Sequence, residues 1–318
     1  MVSALVRTAV KVLISGGLIV LVLRGVNISD VYSQIVKVSA LNIAIALLLM
    51  TGMALIHAER WRLVIGQLRI RLAYGVAIRL VLISYFFNQT LPSTVGGDAF
   101  RVWGAYRRGI SLQDAMASVV VDRVVALISL LLMVIVSSPW LLDFFPSSSA
   151  LWILGLLTAI GAMGLALLLW LYRFSGGWLS RWRAGRLFVP TVTCARSVLL
   201  NIRVTTSAVA LTIFGYVVVS LTAYLLACSM QINLEFKDSL LLMPLVIFLT
   251  ILPVSIAGWG IREGAMVAAL GLVGIPSVEA LSLSILIGLV LLVSGVPGGL
   301  IWLTEHHGRI KGGGDKLV

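Results

Sequence analysis

The chain has 318 residues, 60% of them hydrophobic and only 11% charged; a soluble domain is roughly a quarter charged, so a soluble enzyme is excluded as the body of the protein. The net charge of +12 sits in short loops between apolar runs, where Lys and Arg set membrane orientation and are not read as a nucleic-acid footprint. Cys194 and Cys228 are expected on opposite sides of the membrane, with no disulfide and no metal site.

In chain order, six apolar runs are long enough to cross about 30 Å of hydrocarbon: about 8–24, 38–56, 112–138, 150–172, 205–229 and 278–303. The first follows Arg7 and Lys11 like a signal peptide. It has no small-residue cleavage site before Arg24, so it is read as a retained anchor. Two further runs, Leu80–Leu91 and Leu240–Leu252, are too short to span; each ends at a proline, Pro92 or Pro253, followed by glycines. Apolar runs of about 10–14 residues are more often re-entrant.

If each short run enters and leaves on one side, most basic residues fall on the cytoplasmic face. These are Arg7 and Lys11; Arg60, Arg62, Arg69, Arg71 and Arg79; Arg107 and Arg108; Arg173 to Arg203; and Arg309, Lys311 and Lys316. Only Arg24, Lys37 and Lys237 are left outside, while Arg101, Arg123 and Arg262 are at membrane depth. This places both termini in the cytoplasm of a bacterial inner-membrane, multi-pass protein.

An internal repeat emerges when Leu91–Arg101 (LPSTVGGDAFR) is laid over Leu252–Arg262 (LPVSIAGWGIR) without a gap. Leucine, proline, the second glycine and the closing arginine coincide, and Thr94 pairs with Ser255. A weaker echo follows: Gly109-Ile110 before Asp114-Ala115, and Gly274-Ile275 before Glu279-Ala280. The expected fold is all-α: a polytopic membrane protein built as an inverted repeat of span, span, re-entrant hairpin, span, giving six full spans and two re-entrant helical hairpins. Residues 1–140 form the first repeat with a hairpin at 80–108, residues 141–304 the second with a hairpin at 239–274, and 305–318 a cytoplasmic tail. Inverted repeats with interrupted helices are a transporter plan.

The chemistry of the motif follows from its residues. Pro92 and Pro253 stop the entering half-helix, and Gly96, Gly97 and Gly258 allow the reversal. The returning half-helices are expected near Gly97-Asp98 and Gly258-Trp259, with N-termini that suit an anion such as phosphate. Arg101 and Arg262, one turn further in, offer a planar fork for phosphate oxygens. Two facing motifs would make one positively polarised site. The plainer reading is structural: Asp98 bridges Arg101 at i,i+3, and Glu263 neutralises Arg262. Asp122-Arg123 lies in an apolar span with its members on different faces. Asp122 is a candidate partner for Arg101 or for a proton; otherwise the pair is interfacial, with Arg123 snorkelling. Asn88, Gln89 and Thr90 either line the cavity or bond between helices. His57 and Glu59 are read as interfacial, and Trp103, Trp140, Trp178 and Trp302 as interface anchors. No nucleophile triad, metal cluster, P-loop or dinucleotide motif is visible, so no catalytic residues, metal or cofactor are expected.

The segments NQTLPSTVGGDAFRVW, SVVVDRVVALI and LPVSIAGWGIREG resemble the lysylphosphatidylglycerol synthase transmembrane region family, also called flippase-like domain proteins. In aminoacyl-phospholipid synthases such a domain accompanies a soluble transferase domain and moves the product lipid across the bilayer; relatives occur beside glycosyl-lipid and hopanoid pathways. No transferase domain is read in the sequence to Val318, so the resemblance implies lipid translocation or lipid binding without lipid synthesis. It carries over onto Pro92, Gly96, Gly97, Asp98, Arg101, Asp122, Arg123, Pro253, Gly258, Arg262 and Glu263.

The resulting expectation is a non-enzymatic, flippase-like transporter of a phosphate-bearing lipid. Arg101, Arg262, Asp98, Gly96, Gly97, Gly258, Thr94, Ser255 and Asn88 would bind substrate; Asp122, Arg123, Glu263, Pro92 and Pro253 would gate or couple. The partners are a membrane lipid and, as an option, a lipid-pathway enzyme; nucleic acid is not expected. Competing readings are an intramembrane transferase on a lipid-linked donor with Asp98 or Asp122 as base, a small-solute transporter, and a non-transporting partner of a lipid-pathway enzyme.

Overall fold

A computed structural model describes residues 28–91, 96–144, 183–250 and 258–311, with isolated helical positions between 155 and 170. Among the described residues the chain forms ten helices and no strand. They are α1 (Ile28–Val36), α2 (Ala40–Gly66), α3 (Tyr74–Thr90), α4 (Gly96–Tyr106), α5 (Leu112–Phe144), α6 (Arg183–Leu200), α7 (Ile202–Ser229), α8 (Phe236–Thr250), α9 (Ile261–Gly271) and α10 (Ser277–Lys311). Four are long and apolar enough to cross a membrane: α2, the Leu112–Val136 part of α5, α7, and the Ser277–Glu305 part of α10. The expected spans at 8–24 and, apart from a few positions, 150–172 lie outside the described residues.

The helix boundaries have local causes. Ser39 Oγ accepts from the Asn42 N–H and caps α2. Ser111 Oγ accepts from the Asp114 N–H and donates to the Asp114 carboxylate at 2.7 Å, starting α5. Both arrangements satisfy donors that a helix start leaves orphaned. The two short helices α4 and α9 end alike. Gly109 and Gly274 take positive φ, 88° and 77°, and the next residues, Ile110 and Ile275, return their N–H groups to Ala105 and Leu270. This is the left-handed glycine cap that closes a helix, and it falls on the two positions that echo each other in the sequence.

Bulky apolar side chains remain exposed in helical stripes: Leu41, Leu48 and Leu55 on α2, and Leu289, Leu292, Val296, Leu300 and Leu303 on α10. In water such stripes would be a liability; against hydrocarbon they are the ordinary outer face of a membrane helix. Lipid removes most of the hydrophobic drive between helices, so close packing and polar contacts hold them together.

Backbone packing divides the chain into two units. One comprises the described residues up to Met53 together with Leu82–Gly97 and Tyr216–Glu305. Here the glycines of α10 let backbone meet backbone. A Cβ at Gly298 would run into the backbone at Leu82 and Ile83, and one at Gly299 into the Phe86 ring. The Phe87 and Trp302 rings meet edge to face at 5.4 Å. Ser239 Oγ donates to the Ser220 carbonyl at 2.8 Å, tying α8 to α7. The other unit holds Ala54–Val81 and Asp98–Gly215. Its core joins Val64, Ala117, Val121, Val125, Cys194, Ala195, Val198 and Ala208. Burial pushes the Cys194 thiol up to about 12, with Asp114 adding to the shift; both cysteines are free.

Three features differ from the sequence expectation. The sequence places its arginine-rich stretch after 173 in a loop, yet α6 forms from Arg183 and packs on α5. Its buried Val192, Ala195 and Val198 recur at helical spacing. Helix α2 runs on past residue 56 to Gly66, because the buried stripe Ala54, Ala58, Trp61, Ile65 keeps the helical period after the hydropathy drops. Arg60 is therefore not a loop residue: it is 3% exposed inside a helix.

Candidate functional site: two buried arginine–carboxylate centres

The first centre lies in the unit containing Asp98–Gly215. It is built on α2, α4 and α5. On α5, Ala115, Ser118, Asp122, Val125 and Ser129 share one buried face, which carries Asp122 to full burial at 0% exposure. Arg60 approaches from α2 and donates Nε to Oδ1 at 2.7 Å and Nη2 to Oδ2 at 3.1 Å. Arg101 approaches from α4 and donates Nη1 and Nη2 to Oδ2, each at 3.0 Å. Both Asp98 oxygens accept from Arg123, Oδ2 from Nε at 2.8 Å and Oδ1 from Nη2 at 2.9 Å. Asp98 meets Arg101 only at 3.5 Å, so the i,i+3 bridge is the weakest link of a chain Arg60–Asp122–Arg101–Asp98–Arg123.

Neutral groups hold this chain in place. The Arg101 guanidinium stacks 4.4 Å from the Trp61 ring, a cation–π contact that gains when desolvated. Trp61 donates its indole N–H to Ser118 Oγ at 3.1 Å, and Arg60 Nη1 reaches Thr212 Oγ1 at 3.2 Å. His57 feels the same charges, Arg60, Asp122, Arg123 and Arg101. Arg123 stays half exposed at 51%, as its position on a different face of α5 from Asp122 requires. With three arginines and two aspartates, the chain carries one excess positive charge, and the buried Arg101 Nε has no acceptor among the described residues.

The second centre lies in the unit containing Tyr216–Glu305. Gly258 and Gly260 take φ of 80° and 89°, a region open to glycine at little cost. They form a turn before α9, so α9 starts at Ile261 and not at Gly258. Glu263 then turns back over the helix start. Its Oε2 accepts the Gly260 N–H at 2.5 Å; its Oε1 accepts Arg262 Nε at 3.1 Å, Arg262 Nη2 at 2.7 Å and Ser284 Oγ at 3.3 Å. The Arg262 guanidinium lies 4.6 Å from the Trp259 ring. Gly288 of α10 leaves the space it occupies, since a Cβ there would strike both Arg262 and Trp259.

The two arginines of the sequence repeat are thus alike in chemistry and unlike in position. Each is buried, stacked on tryptophan and paired with carboxylate. Arg101 sits mid-helix in α4 and Arg262 in the first turn of α9. The helix starts also differ from bare anion sites, since each has its own acceptor: Asn88 Oδ1 takes the Gly97 N–H at 3.0 Å, and Glu263 takes that of Gly260. Gly97 is pressed so closely on Ser84 and Asn88 that a Cβ has no room. Pro92, Thr94, Pro253 and Ser255, the residues at the motif tips, lie outside the described residues. Groups of His, Cys, Asp and Glu able to hold a metal ion are absent among the described residues.

Sequence reasoning did not single out Arg60, Trp61, Ser118, Thr212, Trp259 or Ser284 for these roles. For Arg60 and Trp61 a signal existed in the helical phase of α2; for Thr212 and Ser284 nothing local marks them among many hydroxyls on apolar helices.

Residues 8–299 match the sequence profile described as Lysylphosphatidylglycerol synthase TM region. The chain belongs to that family. No curated protein matches the chain. The family match spans both arginine centres and all four candidate membrane helices up to residue 299. This family member is therefore a multi-pass membrane protein of a family tied to lipid metabolism or transport.

Proposed function

We propose that this protein is a flippase-like transporter, and not an enzyme, that carries a phosphate-bearing lipid across the membrane. One observation carries the reading: Arg101 and Arg262 each face a carboxylate that keeps other donors when the arginine leaves. Asp122 retains both bonds from Arg60. Glu263 retains the Gly260 N–H and the Ser284 hydroxyl. Either guanidinium is free to exchange its carboxylate for a lipid phosphate while staying stacked on its tryptophan. A phosphodiester carries one negative charge, as the displaced carboxylate does, so the exchange leaves the charge around the arginine unchanged. Asp98, Asp122 and Glu263 act as internal stand-ins for substrate, and Arg123 holds Asp98 during the swap. A transferase would need Asp98 or Asp122 free to take a proton, and Asp122 already accepts from two guanidinium groups.

The finer topology belongs to the same proposal: six spans, an inverted repeat and two re-entrant hairpins. In support, Gly97 packs on Ser84 and Asn88 whereas Gly104 packs on Leu80, so α4 runs back along α3. Helices α8 and α9 also pack on one another, and α4 and α9 share the glycine cap. Interrupted helices facing a substrate site are how many transporters use helix ends inside a bilayer.

The test is reconstitution of the full chain in vesicles with headgroup-labelled phospholipids and lipid-linked sugars. Faster translocation than in empty vesicles is expected for at least one phosphate-bearing lipid. Arg101→Gln lowers that rate by about ten- to a hundredfold, the worth of a charged hydrogen-bonded pair at about 1.5–3 kcal/mol. Translocation no faster than in empty vesicles across all headgroups, or unaffected by Arg101→Gln and Arg262→Gln together, refutes the proposal.

A further inference from the structure

Between α2 and α3 the chain makes a short basic loop, and beside it lies a cavity of about 570 Å³ lined by Arg62, Gly66, Ile70, Arg71, Leu72 and Ala73. None of these residues belongs to either arginine–carboxylate centre. Three properties give the cavity the character of a site. Its first arginine is fixed: Arg62 donates Nε to the Leu72 carbonyl at 3.0 Å and Nη1 to Glu59 at 2.6 Å, and it lies 5.3 Å from the Tyr74 ring. These contacts leave Nη2 without an acceptor among the described residues. The second arginine is uncommitted: Arg71 is exposed and its guanidinium has no protein partner among the described residues. The remaining lining is apolar side chain and glycine. Within the loop holding these groups, Arg69 takes a φ of 60°.

The cavity also sits where α2, a helix long enough to cross the bilayer, ends at Gly66. In the proposed topology this helix end lies on the headgroup side of the bilayer. The remaining Arg62 Nη2 and the whole Arg71 guanidinium line the same cavity beside apolar surface, and guanidinium donors fit phosphate oxygens. Acyl chain or glycerol backbone would lie along Ile70 and Leu72. We propose that this cavity binds the phosphate of an anionic membrane lipid, holding it at the bilayer edge as a fixed lipid separate from any lipid that is transported.

The experiment uses the full chain with Ala73→benzoylphenylalanine, reconstituted in vesicles of equal parts phosphatidylglycerol and phosphatidylcholine and irradiated; the captured lipid is identified by mass on the peptide. Preferential capture of phosphatidylglycerol is expected. Arg71→Gln lowers the capture about tenfold, against about twofold for Arg79→Gln, which sits on exposed α3 surface outside the cavity and changes only the general field. Arg101→Gln leaves capture unchanged, so loss of transport and loss of this site are read separately. Equal capture of both lipids overturns the proposal, as does equal sensitivity to Arg71→Gln and Arg79→Gln. Displacement of the lipid by millimolar inorganic phosphate also overturns it, since the site would then serve a soluble anion.

Discussion

Asp122 accepts from Arg60 through both of its oxygens and from Arg101 through one. A carboxylate in this position neutralises only one of the two guanidinium groups it touches, so removing it strands two cations. Breaking a buried ion pair from one side typically costs about 3–5 kcal/mol, because the partner is left charged and dry. Asp122→Asn is therefore expected to destabilise the protein by about that amount. Arg101→Gln should cost clearly less, since Asp122 then keeps Arg60 and loses only its second partner. Unfolding free energies from denaturing-detergent titration measure both. Equal costs for the two variants would mean that Arg60 and Arg101 do not share the aspartate unequally, and the release step assigned to Arg101 would lose its basis.

At the scale of the element, α10 and α3 meet through glycine. Gly298 faces the Leu82 carbonyl and the Ile83 backbone, which have no rotamer to move aside. Small residues are what allow membrane helices to approach this closely. Gly298→Leu therefore separates the helices or bends one of them, and overpacking of this kind costs at least about 1–3 kcal/mol. Gly52→Leu is the matched control, as nothing lies within reach of a Cβ there. A melting temperature in detergent lowered by Gly298→Leu but not by Gly52→Leu is the expected result; equal melting temperatures would exclude backbone contact at Gly298.

The same scale explains what was and was not legible in the sequence. The starts of α4 and α9 are legible because glycine acts locally, and the long apolar helices because their composition has a length threshold. At Arg60 the hydropathy has already fallen, from His57 on, while the helical stripe continues to Ile65; composition and periodicity disagree there, and periodicity describes the packing. Helix α6 was hidden for a similar reason, its many arginines outweighing a buried face of Val192, Ala195 and Val198. The contact between Asp122 and Arg101 was anticipated as one option, since a lone acid in an apolar span must find a cation. That a second arginine shares it depends on how α2 packs on α5, which no local pattern encodes.

For the whole molecule the deciding quantity is sidedness. In the proposed topology α3 and α4 enter and leave from one face, so the loop before α3 and the turn after α4 share a compartment. The loop before α8 and the turn after α9 share the opposite one. The charge pattern agrees: Arg69, Arg71, Arg107 and Arg108 flank the first pair, while Lys237 is the basic residue near the second, and basic loops stay on the cytoplasmic side. Single-cysteine reporters in a chain lacking Cys194 and Cys228, placed at Gln67, Arg107, Gln231 and Gly274, test this with a thiol reagent that cannot cross the membrane. Gln67 and Arg107 should label together from the cytoplasmic face, and Gln231 and Gly274 together from the other. If Gln67 and Arg107 labelled from opposite faces, the first broken segment would be a full crossing. The chain would then lose its inverted symmetry, and the basic stretch from Arg173 to Arg203 would have to cross to the outer face against the orientation that its charge imposes.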